Sequence, residues 1–206
     1  MPTPPVRALL FDLGGVLVDI DFRRALNAWA HSSALTAEGL GQAFRFDQEY
    51  ERHERGEMTA AEYFEHLASA LRLSRGAVAA KEGWNSIFVG ELSETRRMVE
   101  IARKTVPCFA FTNTNATHME AWSALFPEVV AAFDQIFASH EIGLRKPELA
   151  AFEHVCQCIG VASEHVLFFD DLNENVAAAR EAGLQSVLVR SPTDVRTTLR
   201  GLGHAL

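Results

Sequence analysis

Oxygen-bearing side chains lie at the ends of three short apolar runs of this sequence. Asp12 is the next-to-last residue of the first run, Thr112 and Asn113 directly follow the second, and Asp170 and Asp171 directly follow the third. Such oxygens are the ligands that a hard cation such as Mg²⁺ prefers, together with water and substrate phosphate. If the runs are parallel strands of one open sheet, their carboxyl ends meet where such sheets bind ligands. For each acid taken alone, the alternative interpretation is that it merely starts the turn after a strand.

A basic residue is also placed where it could contact a phosphate. Lys146 lies in the segment 143–147 (G-L-R-K-P), directly before Pro147, at which a helix is predicted to begin. A lysine can bind a phosphate oxygen as a point charge. A lysine before a helix can equally be a solvated surface residue, so the interest of Lys146 depends on the carboxylates predicted beside it.

Four apolar runs predict buried strands of a parallel sheet that is covered on both faces. They span 6–13, 106–111, 166–169 and 186–189. Helices are predicted between and after them, at 94–104, 147–159, 175–182 and 193–202, with Pro147 at the first turn of the second. Strands that alternate with helices of this length predict an α/β fold with a parallel sheet.

The section from 22 to 88 interrupts this alternation. It has apolar residues at helical spacing and no convincing strand, and Thr59-Ala60-Ala61-Glu62 matches a capping box at the start of one helix. An all-helical insertion between the first and second predicted strands is the simplest account. We therefore predict a core domain made of residues 1–18 and 90–206, and a small helical domain made of residues 19–89.

The composition excludes several classes of protein. The 206 residues include 27 acidic and 19 basic side chains, a formal charge of −8, which disfavours nucleic-acid binding because that depends on clustered Lys and Arg. Three cysteines, at 108, 156 and 158, form no disulfide or zinc pattern and fit a reducing compartment. The start of the chain lacks signal-peptide features, and no run of about 18 apolar residues predicts a membrane span. We expect a cytoplasmic protein that is a monomer or a weak homodimer.

Four motifs in sequence order resemble those of the haloacid dehalogenase superfamily, most of whose members are phosphatases. They are F-D-L-G-G-V-L (11–17), F-A-F-T-N-T-N (109–115), R-K-P-E (145–148) and F-F-D-D-L-N-E-N (168–175). The resemblance covers nearly the whole chain and implies a Rossmann-like parallel sheet core with a small helical cap inserted after the first strand. F-D-L-G-G-V-L-V-D-I-D-F and H-E-R-G-E-M-T more narrowly resemble the bacterial alpha-D-glucose-1-phosphate phosphatase group.

The resemblance implies a nucleophile and a Mg²⁺ site. Asp12 would attack phosphorus and form an aspartyl-phosphate that water later hydrolyses. Mg²⁺ would be held by Asp12, by the backbone carbonyl of Gly14 and by Asp171. Asp170 would bind the metal directly or through water, and Asn175 would orient these ligands.

The resemblance also implies a site for the phosphate. Thr112 and the backbone of Asn113 would hold phosphate oxygens, and Lys146 would neutralise both the phosphate and Asp12. The substrate would be a small phosphorylated metabolite, and the narrower resemblance implies a sugar phosphate such as alpha-D-glucose 1-phosphate.

Gly14 departs from the pattern of the family, whose phosphatases mostly carry an acid there. That acid transfers protons to the leaving alcohol and from water, which is usually worth about 10² to 10⁴ in rate. Another group could replace it, and the candidates are Asp19, Asp21, His53 and Glu57. Alternatively, a sugar 1-phosphate could supply a good leaving group, or the activity could be weak or absent.

Two rival functions follow from the glycine at this position. The first is a non-catalytic phosphate-binding or regulatory protein that keeps the pocket and has lost turnover. The second is a haloacid dehalogenase, which also lacks the acid but needs no metal. The intact pair Asp170-Asp171 favours the metal-dependent phosphatase.

Charged and aromatic residues of the insertion admit two interpretations each. His53 or Arg55 could lie over the site and contact sugar hydroxyls, or they could form a solvated helix end. Trp29, Trp84 and Phe88 could stack on a sugar ring, or they could form the core of the insertion, which their helical spacing favours.

Overall fold

The computed structural model describes residues 4–206, so the first three residues of the predicted core domain lie outside the described residues. Its strands are β1 (Ala8–Phe11), β2 (Val18–Ile20), β3 (Phe88–Glu91), β4 (Cys108–Thr112), β5 (Gln135–Ala138), β6 (Val166–Asp170) and β7 (Gln185–Leu188). Its helices are α1 (Phe22–Ala30), α2 (Ala37–Ala43), α3 (Gln48–Glu54), α4 (Ala60–Ala70), α5 (Gly76–Trp84), α6 (Ser93–Ala102), α7 (Ala116–Leu125), α8 (Pro127–Ala131), α9 (Ser139–Ile142), α10 (Leu149–Ile159), α11 (Asn173–Glu181) and α12 (Pro192–Gly201).

Five parallel strands form the central sheet, in the order β5-β4-β1-β6-β7. Strand β1 lies between β4 and β6, and its Leu10 pairs with Phe109 on one side and Phe168 on the other. Helices flank the sheet, so the predicted α/β fold with a parallel sheet is confirmed. The sequence did not predict β5, a four-residue strand at the edge of the sheet.

Helices cover both faces of the sheet, which explains the continuous apolar character of its strands. Successive side chains of a strand point to opposite faces. In β1, Leu9 and Phe11 pack in one core cluster with residues of α6 and α12, while Ala8 and Leu10 pack in another with residues of α10. All four are fully buried. A strand buried on both faces carries no polar alternation in its sequence.

A small antiparallel sheet closes the insertion at its two ends, because β2 pairs with β3 and the helices α1 to α5 lie between them. Neither strand was predicted, since three or four residues carry too little pattern. Side chains of Asp21, Thr36, Asp47 and Thr59 cap four of these helices by accepting a hydrogen bond from a backbone N–H of the first turn. The predicted capping box between Thr59 and Glu62 is confirmed.

The helices of the insertion pack around a core of their own. Trp29 and Trp84 are fully buried in it, together with Tyr63. The Nε1 of Trp29 donates to the Ala80 carbonyl at 3.1 Å, and the indole lies so close to Gly83 that a Cβ there would overlap it. Of the two interpretations of these tryptophans, core packing is confirmed.

Helix α10 begins two residues later than predicted. Glu148 is its N-cap, and Pro147 lies in the preceding loop after a cis Lys146-Pro147 peptide bond. The prediction that Pro147 opens the helix is therefore wrong. The loop is held instead by hydrogen bonds between the Lys146 backbone and the side chain of Asn113. Across residues 4–206, no helix has the length and apolar character needed to cross a membrane.

Candidate active site

Three carboxylates converge where β1 and β6 end. Asp12 follows β1, Asp170 is the last residue of β6, and Asp171 comes next. One oxygen from each lies within 4.8 Å of the others. Thr112, the last residue of the neighbouring strand β4, lines the same cavity as Asp12. Because β4, β1 and β6 are adjacent, residues that are far apart in the sequence come together here.

Lys146 bridges two of these carboxylates. Its Nζ lies 2.8 Å from Asp12 Oδ1 and 2.8 Å from Asp170 Oδ2, and its side chain is only 1% exposed. Burial lowers the pKa of Lys146, but the charges of Asp12 and Asp170 and the hydrogen bonds to them raise it above its usual value. The rings of Phe111 and Phe168 lie 5.4 and 5.3 Å from the Nζ, within cation–π distance. Lys146 is therefore a buried cation and not a solvated surface residue.

Asp170 is held by donors from the protein on both carboxylate oxygens. Its Oδ1 accepts from the Leu172 backbone at 2.8 Å and from Asn175 Nδ2 at 3.0 Å. Its Oδ2 accepts from Lys146 at 2.8 Å. Asn175 lies in the first turn of α11 and is buried. Asp170 and Asn175 together fix the position of the lysine.

Asp12 has one engaged oxygen and one that is left for other partners. Its Oδ1 accepts from the Leu13 backbone at 2.7 Å and contacts Lys146, whereas no residue of the described chain donates to Oδ2. Burial raises the pKa of Asp12 to about 7, the charges of Asp170 and Asp171 act in the same direction, and Lys146 opposes them. The ionised carboxylate is thus costly to keep in this site without a further positive charge.

The loop after β4 supports Lys146 from its backbone side. Asn113 Nδ2 donates to the Lys146 carbonyl and Asn113 Oδ1 accepts from the Lys146 N–H, both at 2.8 Å. One residue further on, the Thr114 N–H donates to Ser139 Oγ at 2.8 Å. The Asn113 side chain is therefore occupied, which leaves its backbone for the predicted phosphate contact.

Gly15 is required for the position of Asp171. Its φ is +71°, and a Cβ at this residue would overlap the Asp171 carboxylate. Gly14 is also confined, because a Cβ there would lie 3.1 Å from the Cδ1 of Ile20. A side chain at position 14 would therefore require the end of the Ile20 side chain to move by a small distance.

The three carboxylates fit a hard divalent cation such as Mg²⁺. Every donor is oxygen, and within residues 4–206 no other residue donates a hydrogen bond to Asp12 Oδ2 or to the Asp171 carboxylate. Burial raises the pKa of Asp171, and the charge of Asp170 adds to this. A bound cation would relieve the repulsion and favour the ionised carboxylates. Mg²⁺ commonly binds through one or two carboxylates plus water and phosphate.

A cavity of about 650 Å³ opens at these residues, between the sheet and the insertion. The core contributes Asp12, Gly14, Thr112, Asn113, Arg145, Lys146, Pro147, Asp171, Leu172, Glu174 and Asn175 to its wall. The β2 strand and the insertion contribute Ile20, Phe22, Phe46, Tyr50, Glu51 and Glu54. A smaller space of about 90 Å³ adjoins it and is lined in part by Phe88 and His118.

Three ion pairs join helix α3 and its C-cap residue Arg55 to the loop that carries Lys146, and one of them places Glu51 3.3 Å from Arg145. Arg145 Nε donates to Glu54 Oε2 at 2.9 Å, and Arg55 Nε donates to Glu148 at 2.8 Å. Of the two interpretations of Arg55, a contact with substrate hydroxyls is not supported, because its guanidinium pairs with Glu148 and with Glu51.

None of the four candidates for proton transfer lines the cavity. Asp19 is exposed on β2, and Asp21 caps α1 and pairs with Arg23. His53 stacks on Tyr63 with ring centroids 4.4 Å apart, and burial lowers its pKa. The Glu57 side chain is 51% exposed and points to Arg52. These four predictions are therefore not supported by the positions of the side chains.

The comparison with family models decides the identity of this fold. Residues 6–183 match the model of the haloacid dehalogenase-like hydrolases. The chain belongs to the haloacid dehalogenase-like hydrolase family. The resemblance found in its four motifs is thereby confirmed at the level of the family.

Relatives of this haloacid dehalogenase-like hydrolase carry several activities in their names. The chain is 29% identical over 204 residues to a drimenol cyclase of Aspergillus calidoustus, aligning 96% of its own length with only 36% of that protein. It is 25% identical over 203 residues to a D-ribitol-5-phosphate phosphatase of Bacteroides thetaiotaomicron, covering 94% of this chain and 97% of the relative. Among solved structures, a HAD family enzyme of Bacteroides thetaiotaomicron in complex with magnesium and phosphate superposes with a TM-score of 0.80 at 24% identity, covering 90% of this chain and 94% of that one.

Tyr50, Glu54 and Arg145 are among the cavity residues of this haloacid dehalogenase-like hydrolase that were not predicted as site residues. The Tyr50 hydroxyl donates to Glu54 Oε1 at 2.7 Å, and Arg145 donates to Oε2. Tyr50 and Glu54 are four residues apart, so a helix places them on one face. That spacing was the available signal, but it does not show which face of α3 turns toward the core.

Proposed function

We propose that this hydrolase is a Mg²⁺-dependent phosphomonoesterase that works through an aspartyl-phosphate on Asp12. The observation that carries the proposal is the Asp12 carboxylate in the wall of a cavity beside Asp171. One of its oxygens is fixed by Lys146, and the other receives no hydrogen bond from any of residues 4–206. A carboxylate fixed in this way can attack phosphorus in line, because its geometry is set before the substrate arrives. The phosphatase named among its relatives supports the same reaction.

Asp12 and Asp171 would hold the Mg²⁺ ion, with the Gly14 carbonyl and with Asp170 directly or through water. When bound, the ion supplies positive charge that offsets repulsion between the carboxylate nucleophile and the phosphate dianion. Asp170 has a second task in this arrangement, because it shares Lys146 with Asp12. The chain's own residues thus set both the charge balance and the direction of attack.

Lys146, Thr112 and the Asn113 backbone would bind the phosphate oxygens. All three line the cavity, and the hydrogen bonds of Asn113 hold the Lys146 backbone against the end of β4. The lysine reaches the site as a buried cation, so it contributes its charge without reorganising during the reaction.

The substrate class that we propose is a small sugar phosphate, such as alpha-D-glucose 1-phosphate. The charged wall formed by Glu51, Glu54 and Arg145 can bind sugar hydroxyls, and a relative is named for a sugar-alcohol phosphate. A second class, phosphate esters of apolar alcohols, is favoured by Phe22 and Phe46, which line the same cavity. We propose that residues 19–89 act as a cap over the core formed by 1–18 and 90–206, and that the chain works as a monomer or weak homodimer.

The test is turnover of p-nitrophenyl phosphate with EDTA and then with added Mg²⁺, using Asp12→Asn as the inactive control. We expect turnover that needs the metal and disappears in the variant. No turnover by the folded, Mg²⁺-loaded protein would contradict the proposal and favour a non-catalytic phosphate-binding protein. Halide release from a 2-haloacid without metal would instead indicate a dehalogenase.

A panel of sugar phosphates and of aliphatic phosphate esters, compared by kcat/KM, tests the substrate class. We expect the kcat/KM for glucose 1-phosphate to be higher than that for glucose 6-phosphate. A preference for the aliphatic esters would replace the sugar assignment.

A further inference from the structure

Hydrolysis of a phosphate ester needs two proton transfers, and the following inference rests on the proposed function. The leaving oxygen takes up a proton as its bond to phosphorus breaks, and the attacking water later loses one. For alcohols, which leave poorly, a positioned acid is worth about 10² to 10⁴ in rate. Position 14 is a glycine and offers no side chain for this task, and a Cβ there would lie 3.1 Å from the Cδ1 of Ile20.

Most ionisable groups in the cavity wall have another task or lie in solvent. Asp12 and Asp171 belong to the nucleophile and metal site, and Lys146 is a charged residue fixed between carboxylates. The Glu51 side chain is 41% exposed, whereas that of Glu54 is 5% exposed. Glu54 is thus the buried carboxyl group of the cavity wall that the nucleophile and the metal do not need.

The surroundings of Glu54 hold its carboxyl group in one orientation at the cavity. Glu54 ends α3 and lines both the large and the small space. Tyr50 donates to its Oε1 at 2.7 Å, and Arg145 donates to its Oε2 at 2.9 Å. The ionisable groups that face it are Tyr50 and Glu51 on its own helix, Tyr63 on α4, and Arg145 and Lys146 in the loop before α10.

Burial raises the pKa of Glu54 above its usual value, although Arg145 and the hydrogen bond from Tyr50 act against it. A carboxyl group whose pKa is raised toward the working pH can both give and take a proton. Tyr50 cannot easily replace it, since burial raises the pKa of the tyrosine well above its usual range. His118, in the smaller space, is a poor base because burial lowers its pKa to about 3.

We propose that Glu54, supplied by the insertion, is the general acid and base of this enzyme. In the first step its carboxyl proton passes to the leaving oxygen as the P–O bond breaks and the phosphoryl group moves to Asp12. In the second step ionised Glu54 takes a proton from the water that attacks phosphorus. Phosphate is released, and both Asp12 and protonated Glu54 are restored. Tyr50 and Arg145 are positioning residues that orient the carboxyl group.

The experiment compares Glu54→Gln with Glu51→Gln on a series of phosphate monoesters at saturating Mg²⁺. The control removes a neighbouring acid of the same helix, which contacts the same Arg145 at 3.3 Å but is more exposed. The series runs from dinitrophenyl phosphate, whose leaving group needs no proton, through phenyl phosphate to an alkyl phosphate. The loss of kcat/KM in Glu54→Gln is expected to grow along the series, from less than about tenfold to about 10² to 10⁴. Glu51→Gln is expected to change kcat/KM by the same factor on every ester of the series, because Glu51 transfers no proton to the leaving oxygen.

An equal loss on all esters in Glu54→Gln, or no loss, overturns the role of Glu54. The same leaving-group dependence in Glu51→Gln also overturns the role of Glu54, because the effect would then come from Arg145, which both glutamates contact. The wild-type protein gives a reading that needs no variant: with an internal acid its rate depends weakly on leaving-group pKa, and a steep dependence contradicts the proposal. If the wild type does not hydrolyse even dinitrophenyl phosphate with Mg²⁺, the phosphatase function fails and this inference with it. Wild-type turnover with a uniform loss in Glu54→Gln rejects only the inference.

Discussion

Replacing Asp12 with asparagine is expected to abolish turnover and, in metal-free protein, to stabilise the fold. The loss of turnover follows from the loss of the nucleophile. The gain in stability follows from the site itself, where Asp12 is buried beside Asp170 and Asp171 with Lys146 as the bridging cation. Asparagine keeps the shape of the side chain, and its Oδ1 can still accept from Lys146 and from the Leu13 backbone.

The size of the effect follows from the pKa of Asp12, which rises from 3.8 to about 7. One unit of pKa corresponds to about 1.4 kcal/mol, so the ionised carboxylate costs the metal-free fold on the order of 4 kcal/mol. Because the folded-state pKa is raised above the unfolded value, this destabilisation of the metal-free fold is absent below about pH 4 and grows until about pH 7. After allowance for the weaker contact of Lys146 with a neutral amide, we expect a gain of about 2 to 4 kcal/mol at about pH 8. For a protein of this size, that gain corresponds to a rise in Tm of about 5 to 15 °C.

Thermal and urea unfolding in EDTA, repeated between about pH 4 and pH 8, measure this difference. Asp19→Asn is the matched control, because it removes an exposed carboxylate outside the cavity and is expected to change little. Adding Mg²⁺ at a hundredfold excess over Kd should stabilise the wild type by about 2.7 kcal/mol. The difference in unfolding free energy between Asp12→Asn and the wild type should therefore become smaller. An Asp12→Asn protein that is no more stable than wild type at about pH 8, or whose advantage is the same at about pH 5, would refute the reasoning.

Three further variants test the arrangement around Asp12. Lys146→Met should abolish turnover and lower the free energy of unfolding by about 3 to 5 kcal/mol in urea titrations, because Asp12 and Asp170 lose their shared cation. A variant as stable as the wild type would contradict this ion network. Gly15→Ala should weaken Mg²⁺ binding in calorimetric titrations, because the new Cβ displaces the Asp171 carboxylate; unchanged affinity would show that Asp171 is not a ligand. Asp171→Asn should weaken Mg²⁺ binding by at least about tenfold in the same calorimetric titration, while circular dichroism shows an intact metal-free fold. An unchanged Mg²⁺ affinity would contradict the assignment of Asp171 as a ligand.

The sequence was sufficient to predict the parallel sheet and the convergence of its acids. A run such as Ala8–Phe11 is apolar at every position because helices cover both faces, and the residue that follows such a run lies at the ligand-binding edge. Asp12, Thr112 and Asp170 were located in this way, since the position of each depends on its own strand and on the order of neighbouring strands. Strand β5 was missed because it is short and lies at the edge of the sheet.

The wall that the insertion contributes to the cavity could not be predicted. Glu54 and Arg145 are 91 residues apart, and their contact depends on how α3 sits on the core. His53, the neighbour of Glu54, was a candidate from the sequence, but in the structure it stacks on Tyr63. Helical periodicity locates a face but does not show which partner covers it, because that depends on packing between two separate units.

The ion pairs that flank Lys146 have a consequence for exchanging parts between related enzymes. Arg145 and Glu148 both reach across to helix α3, while the lysine between them points into the sheet. A chimaera that imported a foreign insertion would lose the charges opposite these residues and so disturb the loop that presents the lysine. To transfer the substrate range of one enzyme to another, helix α3 and the segment 145–148 would therefore have to be taken together from the same parent.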